Sequence, residues 1–453
     1  MLLFWIAFAT ASAAEEPCYG HAWDDRVDSD HFWVEWEPDA ITEEQAFDIA
    51  SYAEAARTVY VDEMAWALTE RAVVYSVTDT DGPGIGGLAQ TRPCGGEQVP
   101  RIELYMGTYR DTTAHNVTAH ELGHGSQYAY MGQYLDSVAS WLWWMEGVAT
   151  WMATQADDNV DEWAAESLGY LDNPHLALHH GVGGFLVQEQ SEHMYGTAVL
   201  ARYMEEVWGG TDAVRATWEW GATYSGEEIW FPDAVQGAGL EFDAFWTRWM
   251  ATATVVDMGW GDVLEQGARP VRVVTRLPSS GAPPEGRLPQ GLGMSVIRFD
   301  PEAGEEGRSL EVTFEGDPSP RWHVVLVRAE GAQPGSRVLD FVPLEVDEDG
   351  RASGWLSGFE GDVVGFLVVS PETRTVGEFD YVWTAELARG RGLMEGTVVL
   401  VETPGAGCGC VAGGLGGSWE GLALLLLAAP LRRRLGMGSG RQPPQEGEPL
   451  SLT

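Results

Sequence analysis

The chain has 453 residues, enough for two or three folded units, and an apolar content of 45% that can supply a sizeable core. Its 26 basic residues are all Arg, and they face 69 acidic ones, for a formal charge of -43. A field of that sign repels nucleic acid and anionic membrane faces, which excludes both as partners of the folded surface and fits an extracellular solubility role.

The first 14 residues, MLLFWIAFATASAA, form a short apolar run ending in small residues, the pattern of an export signal, although no positive charge precedes it. Cys18 and Cys94 flank the start of the first unit and can pair if the chain is exported. Helical spacing begins after Ile41. Thr42 and Gln45 make a capping-box signature, and Phe47, Ala50, Ala53, Val59 and Met64 continue the period. RAVVYSVTD (71–79) and RIELYMG (101–107) read as strands, the second with Ile102, Leu104 and Met106 on one face. DGPGIGGLAQTRPCGG (81–96) between them reads as a Gly/Pro loop, and it lacks the Lys-Ser/Thr of a phosphate loop. Helices are expected over 112–131, 141–155, 197–208, 211–220 and 241–256, with Leu200, Tyr203, Met204 and Val207 forming a core stripe.

Near Pro270 the apolar period changes from 3.6 to 2, and seven short β-rich runs follow, divided by Gly, Pro and Asp-Gly turns. This pattern predicts a β-sandwich, with Leu310, Val312 and Phe314 facing its core and Glu311 and Thr313 outward. No catalytic constellation stands out there, so this part reads as a supporting or binding module. TPGAGCGC (403–410) reads as flexible. Residues 411–431 are mostly apolar and about one bilayer thickness long, with Glu420 inside and Arg432, Arg433 and Arg434 at the end. Those arginines predict a cytoplasmic C-terminal side, with all that precedes the apolar run outside. The expected organisation is an α+β chain: signal 1–14, catalytic unit 18–266, sandwich 270–390, anchor 404–436 and a disordered tail 437–453.

The chemistry concentrates in TAHELGHGSQY (118–128). On a helix, His120 and His124 lie slightly more than one turn apart and project from one face, so both imidazoles can reach one Zn²⁺. Glu121, about 100° further round, flanks such an ion as a base for water. A third ligand is needed. Gln127 and Tyr130 stand where the metzincin pattern has Gly and His, which excludes that type. WWMEGVATWM (143–152) offers Glu146 instead, 22 positions beyond His124, and a carboxylate among tryptophans needs a partner such as a metal. Asp157 and Asp158 follow as acidic groups that could orient a ligand histidine, or as a solvated helix end. The glycan-acceptor pattern at Asn116 lies in the same helix and reads as accidental.

HELGH followed by W-W-M-E-G-V-A-T-W resembles the gluzincin branch of zinc metallopeptidases, in which the third ligand is a Glu followed by a small residue and Ala. The chain is also similar to a secreted metalloprotease family common in myxobacteria, in its Trp-x-Glu-Gly-x-Ala-x-Trp block and the following β-sandwich. Its GCGC, apolar and Arg-rich tail resembles the myxobacterial C-terminal sorting tag. The resemblance covers about residues 118–151 and the tail. It implies a zincin-like catalytic domain, Zn²⁺ on His120, His124 and Glu146, Glu121 as base and later acid, and a peptide or protein substrate. It also implies display at the cell surface, anchored through the tail and handled by sorting machinery near Cys408 or Cys410. Many gluzincins carry an oxyanion donor downstream of the third ligand. Tyr195, expected just ahead of a helix, fills that role here, with His193 as rival and His179 and His180 behind it. The competing expectation is a surface binding protein on a degenerate peptidase fold, its metal structural and its sandwich the binding module. An intact Glu121 argues against it, because a structural site has no use for a base.

Overall fold

The computed structural model describes residues 18–411, apart from 20–21, 80–85, 106–110, 133–140, 158–159, 180–187, 225–228, 260, 262–263, 265, 301–307, 360, 390 and 404–405. The expected export signal and apolar anchor lie outside the described residues, and no described helix is long and apolar enough to cross a membrane.

The fold is mixed α and β. Strands β1 (Arg26–Asp28), β2 (Phe32–Trp36), β3 (Val73–Thr78), β4 (Gly87–Cys94) and β5 (Glu97–Tyr105) form one sheet in the order β1-β2-β3-β5-β4. β2, β3 and β5 run parallel, and β4 closes one edge antiparallel to β5. The stretch expected to be a loop therefore holds an edge strand. Its composition hid it, since Gly, Thr and Pro leave no apolar alternation. Tyr105 donates its N–H to the Gly86 carbonyl, so even-numbered residues of β4 face β5 and odd-numbered main-chain groups point to the free edge. Pro93 falls in the odd set, where a missing N–H costs the ladder nothing. Cys18 is bonded to Cys94, with Cα atoms 6.1 Å apart, and ties the end of β4 to the N-terminal segment.

Helix α1 (Glu43–Arg57) starts at the expected capping box. Thr42 N–H donates to Gln45 Oε1 at 2.9 Å and Gln45 N–H to Thr42 Oγ1 at 3.3 Å, a cap worth about 1 kcal/mol. The apolar period continues beyond it as a π-helical stretch, Thr58–Glu63. Then come α2 (Asp111–Met131), α3 (Leu142–Asp157), α4 (Val160–Asp172), α5 (Gln188–Gly196), α6 (Ala198–Trp208), α7 (Thr211–Thr223), α8 (Phe231–Gly237) and α9 (Phe242–Ala253). Of these, α4, α5 and α8 were not legible as helices.

The second half comprises two sheets. One is built of β6 (Arg272–Val274), β8 (Ser295–Phe299), β10 (Arg321–Ala329), β11 (Val338–Leu344), β13 (Val364–Glu372), β15 (Val398–Thr403) and β16 (Ala406–Val411) in the order β16-β15-β11-β10-β13-β8-β6; the other is built of β7 (Ser279–Gly281), β9 (Arg308–Gly316), β12 (Arg351–Ser357) and β14 (Tyr381–Arg389) in the order β12-β9-β14-β7. Leu310, Val312 and Phe314 of β9 (Arg308–Gly316) and Tyr381, Trp383 and Ala385 of β14 (Tyr381–Arg389) pack against Val324 and Leu326 of β10 (Arg321–Ala329) and Leu367 and Val369 of β13 (Val364–Glu372). This is the expected face-to-face packing of a sandwich. The unexpected feature is the other face of the larger sheet. Val325 and Val327 of β10 and Phe366 and Val368 of β13 belong to the same apolar core as the helices. Both strands are therefore near-continuous apolar runs, as two-sided burial requires, whereas β14 alternates buried and exposed. β12 (Arg351–Ser357), RASGWLS, escaped notice because it is small and polar. The segment read as flexible contains β16 (Ala406–Val411), which pairs antiparallel with β15 (Val398–Thr403).

Candidate metal centre

Two tyrosines fix α2 by its main chain. The Tyr60 hydroxyl donates to the Ala119 carbonyl and the Tyr75 hydroxyl to the Thr118 carbonyl, each at 3.0 Å, immediately before His120. α3 is fixed by its tryptophans. Trp144 Nε1 donates to Thr217 Oγ1 at 3.0 Å and Trp151 Nε1 to Glu205 Oε2 at 2.9 Å. Small residues let the two helices approach. A Cβ on Gly123 would come within 3.3 Å of Ala149 Cα; one on Gly147 would collide with Thr197, the residue before α6, so that glycine serves the packing of α3 against α6. The Gly of HELGH and the Gly and Ala of EGVA thus serve close packing.

That packing brings the three expected ligands together. His120 Nε2 lies 3.2 Å and His124 Nε2 3.4 Å from Glu146 Oε2, and the imidazoles stand edge to face with centroids 4.7 Å apart. The three ligand atoms all fall within 4.8 Å of one another. A tetrahedral ion with bonds of about 2.0–2.1 Å has ligand–ligand edges of about 3.3 Å. Charge-assisted N–H···O bonds are shorter, about 2.7–2.9 Å. The spacing matches the edges of a metal polyhedron better than direct ion pairs. Glu121 supplies a second fit test: its Oε2 is buried and accepts no hydrogen bond among the described residues, as suits a carboxylate that faces a water or substrate proton.

Supporting groups come from both helices. Gln127 Oε1 lies 2.9 Å from His124 Nδ1, and Gln127 Nε2 donates to the Met145 carbonyl at 2.9 Å. This chain places the proton of neutral His124 on Nδ1 and leaves the Nε2 lone pair for a ligand bond. Sequence reasoning used Gln127 only to exclude the metzincin pattern. Its spacing, three after the second His and one turn along, was the missed signal. Thr150 Oγ1 lies 3.5 Å from His120 Nδ1. Asp157 pairs instead with His115 at 2.9 Å, and Asp158 lies outside the described residues.

Tyr195 lies just ahead of α6, as expected, but also within the last turn of α5, and its ring centroid is 5.8 Å from that of His120. The Glu146 carboxylate is close enough to act on its hydroxyl. The rival His193 is fully buried and packs on Tyr170, with centroids 5.1 Å apart. His179 borders a small crevice with Trp143 and Phe231, and His180 lies outside the described residues.

The electrostatics separate the roles. Burial raises Glu121, and the Glu146 charge adds to this against the lowering by His124 and His120. Burial alone would raise Glu146, but His124 and His120 hold it well below 4.5. Burial alone would lower His124, but the charge and hydrogen bond of Glu146, with Glu121 and Gln127, hold it at about 9. The Glu146 charge, then burial, keep the Tyr195 phenol protonated far above pH 10. In the metal-free protein His124 is therefore a cation at neutral pH, and a metal must displace its proton. Metal affinity is expected to rise about tenfold per pH unit from 6 to about 9, with about one proton released per ion at pH 7. Competitive chelator titrations across that range test this, and a flat affinity contradicts it.

A second cluster, Asp243, His323 and Glu372, also gathers ligand atoms. Arg321 pairs with both carboxylates there and offsets part of their charge. No family model matches the chain, and no curated protein matches it.

Proposed function

We propose that the chain is a zinc-dependent peptidase with a zincin-like catalytic half, exported and displayed at the cell surface. The observation that carries this reading is the convergence of His120 Nε2, His124 Nε2 and the Glu146 carboxylate beside a buried Glu121 oxygen that lacks a donor. His, His and Glu form a ligand set suited to Zn²⁺ with one position open. Bound there, the ion supplies Lewis acidity, making water acidic near neutral pH and polarising a carbonyl.

The chain's own residues supply the rest. Glu121, its affinity for protons increased by burial, takes a proton from the attacking water and delivers it to the leaving amine. Tyr195, kept as a neutral phenol next to the ligands, donates to the oxygen that gains charge. The outer edge of β4 pairs with no strand among the described residues, and Gly87 on that strand touches Glu121. An extended peptide adding to such an edge presents its carbonyls beside the base. The Cys18–Cys94 bond supports an oxidising, extracellular location.

Purified protein incubated with an unfolded polypeptide should cleave it, lose that activity to a chelator and regain it with zinc. Cleavage indifferent to chelator removes the assignment. A second reading, surface binding through the sandwich, is favoured by one groove. A cavity of about 600 Å³ lies on the outer face of the smaller sheet, lined by Ser280, Thr313, Ser353 and Thr384 with Trp355 and Arg391. Binding without any turnover would select that reading.

A further inference from the structure

Gly87 is a strand residue on β4, and its φ is not positive. Its backbone would accept any L residue, so conformational freedom does not explain a glycine there. Space does. A Cβ built on Gly87 would lie 2.7 Å from both Cγ and Oε1 of Glu121 and 2.9 Å from its Cδ. The neighbouring Gly86 lies in the same way against Val117, one turn earlier on α2, where a Cβ would come within 3.1 Å of Cγ2. Two residues further along β4, the Ala89 N–H lies near the Glu121 carboxylate. The Ala89 carbonyl in turn accepts from the Tyr128 hydroxyl at 3.5 Å, which ties the strand back to α2. Gly87 and Ala89 share a parity: their main-chain groups point to the free edge and their Cβ positions toward α2.

We infer that the β4 backbone is the positioning element for Glu121, with Gly87 as the floor on which the carboxylate rests and the Ala89 N–H beside it. This rests on the peptidase reading, in which Glu121 must be aimed at one proton. Glu121 reaches its position along three rotatable bonds from a helix, and packing on α2 alone does not choose among its rotamers. Close packing on Gly87, with the Ala89 N–H beside the carboxylate, restricts its placement, with Oε2 buried and accepting no hydrogen bond among the described residues. Oriented in this way, the base is preorganised before substrate arrives. Any larger residue at position 87 pushes the carboxylate off its floor and leaves the zinc ligands in place.

The test uses the full-length, zinc-loaded protein and Gly87→Ala in three backgrounds. With Glu121 present, kcat is expected to fall about 100-fold, while KM and zinc content stay within about twofold of wild type. With Glu121→Gln, the residual rate should change less than about twofold, because no base remains to be misplaced. With Glu121→Ala, the melting temperature should be indifferent to Gly87→Ala, whereas in the wild-type background the same change should lower it. The melting comparison needs no activity, so it judges the contact even if the peptidase reading fails. A raised KM with intact kcat would make Gly87 a substrate contact instead. Equal rate losses with and without the base, or an unchanged kcat in the wild-type background, would also overturn the inference.

Discussion

Glu121→Gln is expected to lower kcat about 10³-fold with zinc content and fold unchanged. The substitution is isosteric, so the amide still fits over Gly87 with the Ala89 N–H beside it. What disappears is the ability to accept a proton from water and return it to an amine. General acid–base catalysis contributes about 10²–10⁴-fold, and Glu121 serves both directions of transfer, which places the loss toward the middle or upper part of that range. The metal ligands are untouched, so metal analysis of the variant should equal that of wild type. Wild-type turnover in Glu121→Gln would remove the base assignment and, with it, the distinction from a purely structural site.

Glu146→Ala should have a different signature. It removes a ligand, so zinc affinity should fall by more than the roughly 100-fold that loss of a supporting residue costs. It should also destabilise the metal-free protein, because buried His124 loses its counterion. Breaking a buried pair in this way costs about 3–5 kcal/mol. The loss depends on pH. Glu146 lies below its ordinary 4.5, so its contribution is present above that pH and is lost on acidification. His124 is raised from 6.5 to about 9, so its contribution is complete below 6.5 and fades as pH rises through about 9. Urea unfolding of chelated wild type and variant should differ most between about pH 4.5 and 6.5, and the gap should narrow by pH 9.5. A gap constant with pH would show that Glu146 contributes by packing and not by charge.

Sequence and structure agree where chemistry and period coincide. α2 and α3 were legible because HELGH and EGVA lie within long apolar helices, and the one-turn spacing of His120 and His124 is a property of any helix. Leu310, Val312 and Phe314 were placed in the sandwich core by alternation alone. The misses share a cause: each is decided by a partner that local sequence does not contain. β4 has no alternation of its own and exists because β5 pairs with it along its length. Gln127 acquires a role only when α3 brings the Met145 carbonyl within reach. Tyr195 does precede the start of α6, as expected, but α5, which holds it and stops at Gly196 where a Cβ would strike Tyr170 and Glu166 of α4, was not legible. The boundary at residue 270 was drawn from a change of period, which says how each segment is wound but not what covers it.

The larger sheet of the sandwich has helices on one side and strands on the other, with apolar side chains filling both. It is therefore an inner wall shared by the two halves, and neither half can be removed without uncovering the other. A protease cutting near residue 270 would not release a stably folded helical fragment; the severed pieces would have to remain associated or lose their fold. Evolution of this chain is constrained in the same way, because the helical half cannot be recombined onto another carrier as an independent cassette.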